Sequence, residues 1–182
     1  MYDNTINIMG IDPGNNTGVS VITLDPFNRK IVNVYTKLIC LEMNIPQSPY
    51  KMIHKTNLLS NELLQILQWS LPSLVTIENV FVNKKFPHAV INLSQYFITC
   101  KNTIYNFNNF IKILEYSPKY IKKIIGAGGD AGKIDMLNTL LKNKQLKLQI
   151  DLRGISEHEI DSLCIALTGL QEITLEDLIK IY

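Results

Sequence analysis

The chain has 182 residues, of which 46% are hydrophobic and 19% charged, and its formal net charge is +2. That mixture excludes a disordered chain, is long enough for one domain with a full sheet-and-helix core over 1–182, and names no partner through global charge. No apolar run approaches the roughly 18 residues of a membrane span, and Asp3 stands before the first apolar run without a basic leader, so a soluble, cytoplasmic protein is expected.

Three strand-like runs come first, at 5–12, 17–24 and 31–41. Pro13-Gly14-Asn15-Asn16 joins the first two and Asp25-Pro26-Phe27-Asn28 joins the second to the third, both with hairpin turn chemistry. Residues 42–50 hold two prolines and read as a loop. From 51 to 70, Met52, Leu59, Leu63, Ile66 and Leu67 share one helical face, and Pro72 ends that helix. A buried strand at 74–78 follows. A long helix is predicted from Pro87 to about 110, with Ile91, Phe97, Ile98, Ile104 and Phe107 on its apolar face. A short strand from Ile111 to Tyr116 ends at Pro118, and a helical segment then carries Lys119, Lys122 and Lys123. The glycine loop 126–132 leads to a helix at 133–143, with Ile134, Leu137, Leu140 and Leu141 on one face. The last helix opens with the capping box Ser156-Glu157-His158-Glu159, and Ile160, Leu163, Cys164, Leu167 and Leu170 form its core stripe.

Three meander strands extended by parallel strands through helical crossovers predict an α/β layer fold in which strand 1 ends beside strand 4. Asp12 and Glu78, each closing an apolar strand, would then be neighbours. His158 and Asp161 lie at i,i+3 on the first turns of the last helix, hence on one face. A carboxylate at the end of a buried strand is costly unless something cationic meets it. Several converging from distant positions suggest a shared cation. Oxygen-rich sites of this kind hold Mg²⁺ or Mn²⁺, and pairs of such ions drive phosphodiester cleavage. Simpler roles stay open for two of them: Asp12 as a turn residue before Pro-Gly, and Asp161 as a first-turn acid favoured by the helix dipole. Between 101 and 150 nine lysines oppose three acids, a net of +6, and from 151 to 182 two bases oppose seven acids, a net of −5. A basic segment beside an acidic one suits a phosphate-binding surface next to a metal cluster, and equally a solvated lysine face. Cys40, Cys100 and Cys164 are widely spaced, with no CxxC, and read as reduced thiols rather than a disulfide frame or zinc site.

Gly10-Ile11-Asp12-Pro13-Gly14-Asn15-Asn16-Thr17-Gly18 resembles the first motif of RuvC-type Holliday-junction resolvases, and Ile77-Glu78-Asn79-Val80-Phe81 resembles the second. Tyr116-Ser117-Pro118, Ile121-Lys122-Lys123, Gly126-Ala127-Gly128 and Lys133 are similar to the family's basic segment. The run from His158 to Ala166 is similar to its terminal acidic helix. The resemblance covers about residues 5–170, in order. It implies a ribonuclease-H-like mixed five-stranded sheet flanked by helices. It further implies a homodimeric nuclease that binds four-way DNA junctions and nicks two opposing strands symmetrically with divalent metal ions. The metal ligands would be Asp12, Glu78, His158 and Asp161, holding Mg²⁺ or Mn²⁺, two ions per site. Many relatives have Asp where this chain has His158, and imidazole as a ligand favours Mn²⁺; His158 could also act as a base or behind the ligands, with Glu157 a substitute ligand. Phe81 corresponds to an aromatic that stacks or wedges at the junction centre. Lys84, Lys85, Lys122 and Lys123 would reach phosphates, and Lys133 would balance the scissile phosphate as part of the catalytic set. The helix at 87–110 is expected to form part of the dimer interface.

A nucleotide cofactor is not expected, because a Walker pattern would need Gly where Ala127 stands and Ser or Thr where Ile134 stands. Three other readings compete: an actin-like ATPase relative, which 182 residues leave too little room for; a non-catalytic junction-binding module; and a fork or flap nuclease of the same fold. The Asn-, Ile- and Lys-rich composition hints at an AT-rich, viral genome.

Overall fold

Alternating apolar residues and two tight turns build the first half of the sheet. In the computed structural model, which describes residues 5–42, 48–80 and 87–173, β1 (Ile6–Asp12), β2 (Asn16–Asp25) and β3 (Lys30–Cys40) form an antiparallel meander. Helix α1 (Lys51–Ser70) crosses over to β4 (Leu74–Glu78), and α2 (Pro87–Phe107) crosses to β5 (Lys112–Tyr116). Both crossovers return parallel strands, giving the order β3-β2-β1-β4-β5. Then come α3 (Pro118–Ile124), α4 (Lys133–Lys142), the short α5 (Lys144–Lys147), a 3₁₀ turn at Leu152–Gly154, and α6 (Glu157–Glu172). The ribonuclease-H-like mixed sheet flanked by helices is therefore present. The short α5 and the 3₁₀ turn carry too few residues for a periodic signal.

The central strands are buried on both faces. On one side Met9, Ile11, Val75 and Ile77 pack with Leu59, Leu63 and Leu67 of α1 and with Tyr96, Cys100 and Ile104 of α2. On the other, Ile22 and the α6 residues Leu163, Cys164 and Leu167 join Ile121, Met136 and Leu140. Helix α6 lies almost on the sheet backbone. A Cβ added at Gly10 would stand 2.2 Å from Ser162 O, and one at Gly18 would stand 1.9 Å from His158 O. Only glycine admits that approach. Ser20 Oγ and Ser162 Oγ share a 2.6 Å hydrogen bond across the same contact, and Thr76 Oγ1 donates to Ile165 O at 3.0 Å.

Two predicted faces are corrected. In α2, Ile91 and Ile98 are exposed, because the buried stripe runs through Tyr96, Cys100, Thr103 and Ile104; a residue two positions from Tyr96 and two from Cys100 points the opposite way on a 100°-per-residue helix. Phe97 and Phe107 do pack against the core. In α4, Ile134 is 75% exposed, since the stripe centres on Met136 and Leu140. The α2 helix also stops at Phe107, short of the predicted 110. Cys40, Cys100 and Cys164 are all free thiols. Among the described residues no helix is long and apolar enough to cross a membrane.

Candidate active site

The parallel pairing of β1 with β4 sets Ile11 opposite Ile77, so Asp12 and Glu78 leave the sheet side by side. The turn beyond Asp12 is held by its own polar groups. Thr17 Oγ1 donates to Gly14 O at 2.7 Å, and Leu41 N donates to Asn15 O at 2.9 Å, tying the turn to the end of β3. On the other side, the first turn of α6 is fixed twice. Ser156 N donates to Glu159 Oε2 at 2.9 Å while Ser156 Oγ accepts from Glu159 N, closing the predicted capping box. Thr36 Oγ1 then donates to Glu159 Oε1 at 2.9 Å, pinning that turn to β3. Glu159 thus has a structural task, as its place in the box implied.

This framework brings His158 and Asp161 over the ends of β1 and β4. His158 Nδ1 donates to Asp12 Oδ2 at 2.9 Å, and its Nε2 lies 3.8 Å from Glu157 Oε1. The hydrogen bond to Asp12 holds the imidazole pKa above its ordinary value despite partial burial, helped by the fields of Asp12, Glu157 and Asp161. Burial pushes the Glu78 carboxyl up to about 8, with Asp12 and Asp161 adding repulsion and Lys122 opposing it. Burial and the Asp12 charge likewise raise Asp161 to about 6, against Lys133 and His158. The cluster carries more negative charge than its surroundings neutralise, a pattern typical of functional sites.

A cleft of about 180 Å³ opens beside these groups, lined by Glu78, Asp161, Lys122, Lys133, Ile121 and Met136. Lys122 and Lys133, picked from sequence, therefore share one cavity with two of the acids. Lys133 also forms an exposed ion pair with Glu157, which raises the lysine's pKa and lowers that of the carboxyl. Lys123 is exposed on α3 and lines no part of this cleft. Phe81, Lys84 and Lys85 lie outside the described residues. A larger cleft of about 460 Å³ sits at the far end of the sheet, around Arg29 and Ile31, away from every acid of the cluster.

The donor set suits a divalent cation. Two desolvated carboxylates pushed toward neutrality, next to a third that binds an imidazole, would regain their charge with a cation between them. Asp12, Glu78, Asp161 and His158 are the groups that could hold it. As they stand, among the described residues no three His, Cys, Asp or Glu side chains are close enough together to clasp an ion; the direct contact is between Asp12 and His158. Sequence reasoning missed the partners that set this depth, Gly10, Gly18 and Thr36. The Gly-x-Asp and Thr-Gly spacing around Asp12 was the signal for the two glycines; nothing local marked Thr36.

The family model described as crossover junction endodeoxyribonuclease RuvC matches residues 8–169. A protein of that name from Ehrlichia canis is 30% identical over 129 residues, covering 70% of this chain and 76% of its own. Another, from Wigglesworthia glossinidia brevipalpis, is 29% identical over 162 residues, 88% of this chain and 91% of its own. Among solved structures, T. thermophilus RuvC in complex with a Holliday junction substrate superposes with a TM-score of 0.70 at 18% identity, covering 90% of this chain and 92% of that one. The yeast mitochondrial Holliday junction resolvase Ydc2 gives a TM-score of 0.61 at 15% identity, with 91% and 78% covered. At these identities the structural matches speak for the fold.

Proposed function

The chain belongs to the RuvC family of crossover junction endodeoxyribonucleases, and from that premise we propose that it resolves four-way DNA junctions by paired, symmetric, metal-dependent nicks. The observation that supports this best is the meeting of Asp12 and Glu78, at the ends of adjacent parallel strands, with His158 and Asp161 of α6 in one over-acidic cluster. On this reading residues 1–182 form a single nuclease domain. Asp12, Glu78, His158 and Asp161 would hold Mg²⁺ or Mn²⁺, two ions per site. When bound, such ions supply the positive charge that lowers a water's pKa and offsets the charge on the leaving 3′ oxygen.

The chain's own residues do the rest. Lys133 and Lys122 face the acids across the cleft, where a scissile phosphate would sit between opposite charges. Lys123, with Lys84 and Lys85, would contact phosphates farther along the strand, and Phe81 would stack on a base at the junction centre. His158 holds Asp12 in place through its Nδ1 proton. Two copies are needed to cut two strands at once, and we place part of their interface on α2. Its exposed stripe of Ile91, Ile98 and Tyr105 recurs every seven residues, which suits packing against a second helix.

The test is cleavage of a labelled synthetic four-way junction, with linear duplex and a fork alongside, in Mg²⁺, Mn²⁺ or EDTA. Paired symmetric nicks on the junction alone, lost in EDTA, are expected. Equal cutting of forks would widen the substrate class, and tight binding without cutting would reduce the protein to a binding module.

A further inference from the structure

Helix α1 puts a lysine where its pattern calls for an apolar residue. Met52, Lys55, Leu59, Leu63 and Ile66 follow one stripe, and the Lys55 side chain is only 9% exposed. Its ammonium donates to Asn15 Oδ1, which also accepts from the Tyr96 hydroxyl at 3.4 Å. The nearest carboxylate is that of Glu42, 3.9 Å away and 70% exposed. An ammonium has three donors and is costly to bury with a single neutral acceptor. Lys55 lines an open cleft of about 440 Å³ together with Asn15, Asn92, Tyr96 and Glu42.

The position of this cleft matters. Asn15 lies in the turn that begins at Asp12, and Asn92 and Tyr96 lie in the first half of α2, the element that follows Glu78. The cleft therefore opens at the same end of the sheet as the catalytic acids, but on the α1 and α2 side, whereas Lys122 and Lys133 stand on the α6 side.

We propose that Lys55, with Asn15, Asn92 and Tyr96, binds a DNA backbone phosphate at the end of the sheet that carries Asp12 and Glu78. This rests on the DNA-cleaving reading above. In the free protein Glu42 is a distant, solvated substitute for that phosphate and competes with it. Because the ammonium is shielded from water, its pull on a phosphate is screened less than that of a surface lysine.

The experiment is anisotropy titration of a labelled four-way junction in EDTA over a range of KCl, with melting curves for every variant. Lys55→Met is expected to weaken binding about fivefold, near 1 kcal/mol, and to flatten the log–log salt slope by about 0.9, one phosphate contact. Glu42→Gln is expected to tighten binding about twofold by removing the competitor. A Lys55→Met variant that folds and binds with unchanged affinity and slope overturns the site. So does a Glu42→Gln variant that leaves binding unchanged or weakens it, since the pair would then be only a structural tie. If Lys55→Met does not fold, Lys55→Arg must keep the slope and Glu42→Gln must still tighten binding. Failure of the unaltered protein to bind the junction would instead bring down the functional reading, and this site with it.

Discussion

His158 Nδ1 donates to Asp12 Oδ2 at 2.9 Å, joining positions 146 residues apart and tying the end of β1 to the start of α6. The imidazole meets the Asp12 carboxylate with a donated proton, and its raised pKa keeps it charged there longer as pH rises.

Asp12→Asn keeps the size and a carbonyl acceptor but removes the charge. Junction cleavage should fall at least about a thousandfold, while junction affinity in EDTA stays close to that of the unaltered protein. Cleavage at anything near the original rate would reject Asp12 as a ligand.

His158→Asp replaces a donor to Asp12 with a second carboxylate. Without metal the variant should melt several degrees lower, because like charges then face each other. Mg²⁺ should restore the loss, and cleavage should shift its preference from Mn²⁺ toward Mg²⁺. Inactivity in both metals, with the fold intact, would count against the ligand assignment.

Metal-free stability should fall as pH rises. The unfolded Glu78 ionises near 4.5 whereas the folded one does so near 8, so across that window the native state binds more protons and loses ground. Asp161 acts in the same direction between 3.8 and about 6. The raised His158 also contributes stability below 6.5 that is lost as pH passes its folded pKa. Melting temperature in EDTA should therefore drop between pH 5 and 8 by several degrees, about 2–4 °C per kcal/mol for a chain of this size. Glu78→Gln should flatten the curve; an equally steep curve in that variant would place the dependence elsewhere.

Lys133→Ala breaks an exposed ion pair with Glu157, and solvent-screened pairs of this kind contribute little to stability. Thermal stability should barely move, while cleavage falls by about two orders of magnitude through loss of the charge facing the scissile phosphate. A drop in melting temperature as severe as the drop in rate would make the lysine structural.

Gly18→Ala drives a methyl group into the carbonyl of His158. The first turn of α6 must lift, at a cost of about 1–3 kcal/mol or more, and cleavage should fall far more than the lost stability explains. Solvent exchange at the backbone of 157–161 would report the lifting; protection equal to that of the unaltered protein would contradict it.

Much of this was legible in the sequence. The meander, the crossovers and the neighbourhood of Asp12 and Glu78 follow from alternating and helical periods and from turn residues at 13–16 and 25–28. The capping box at Ser156 located α6 to the residue. The outward faces were harder. Ile91, Ile98 and Ile134 are apolar at helical spacings that fit either side of their helices, and only the packing partners decide which side is buried. Lys55 shows the converse, a charged residue in step with Leu59 and Leu63 whose hydrogen-bond partner is Asn15, forty positions earlier. Thr36 reaching Glu159 is of the same kind, a contact between two ordinary polar residues that becomes visible only when the strand and helix meet.

The docking of α6 against Gly10 and Gly18 has a consequence for synthesis. Asp12 and Glu78 emerge from the ribosome early, yet they meet His158 and Asp161 only when the last helix has been made and has settled on the sheet. A nascent chain that has not reached residue 158 carries Asp12 and Glu78 without their α6 neighbours, and has no helix to shield β1 and β4. The strand ends that carry Asp12 and Glu78 are thus covered on that face only by the last helix among the described residues to leave the ribosome.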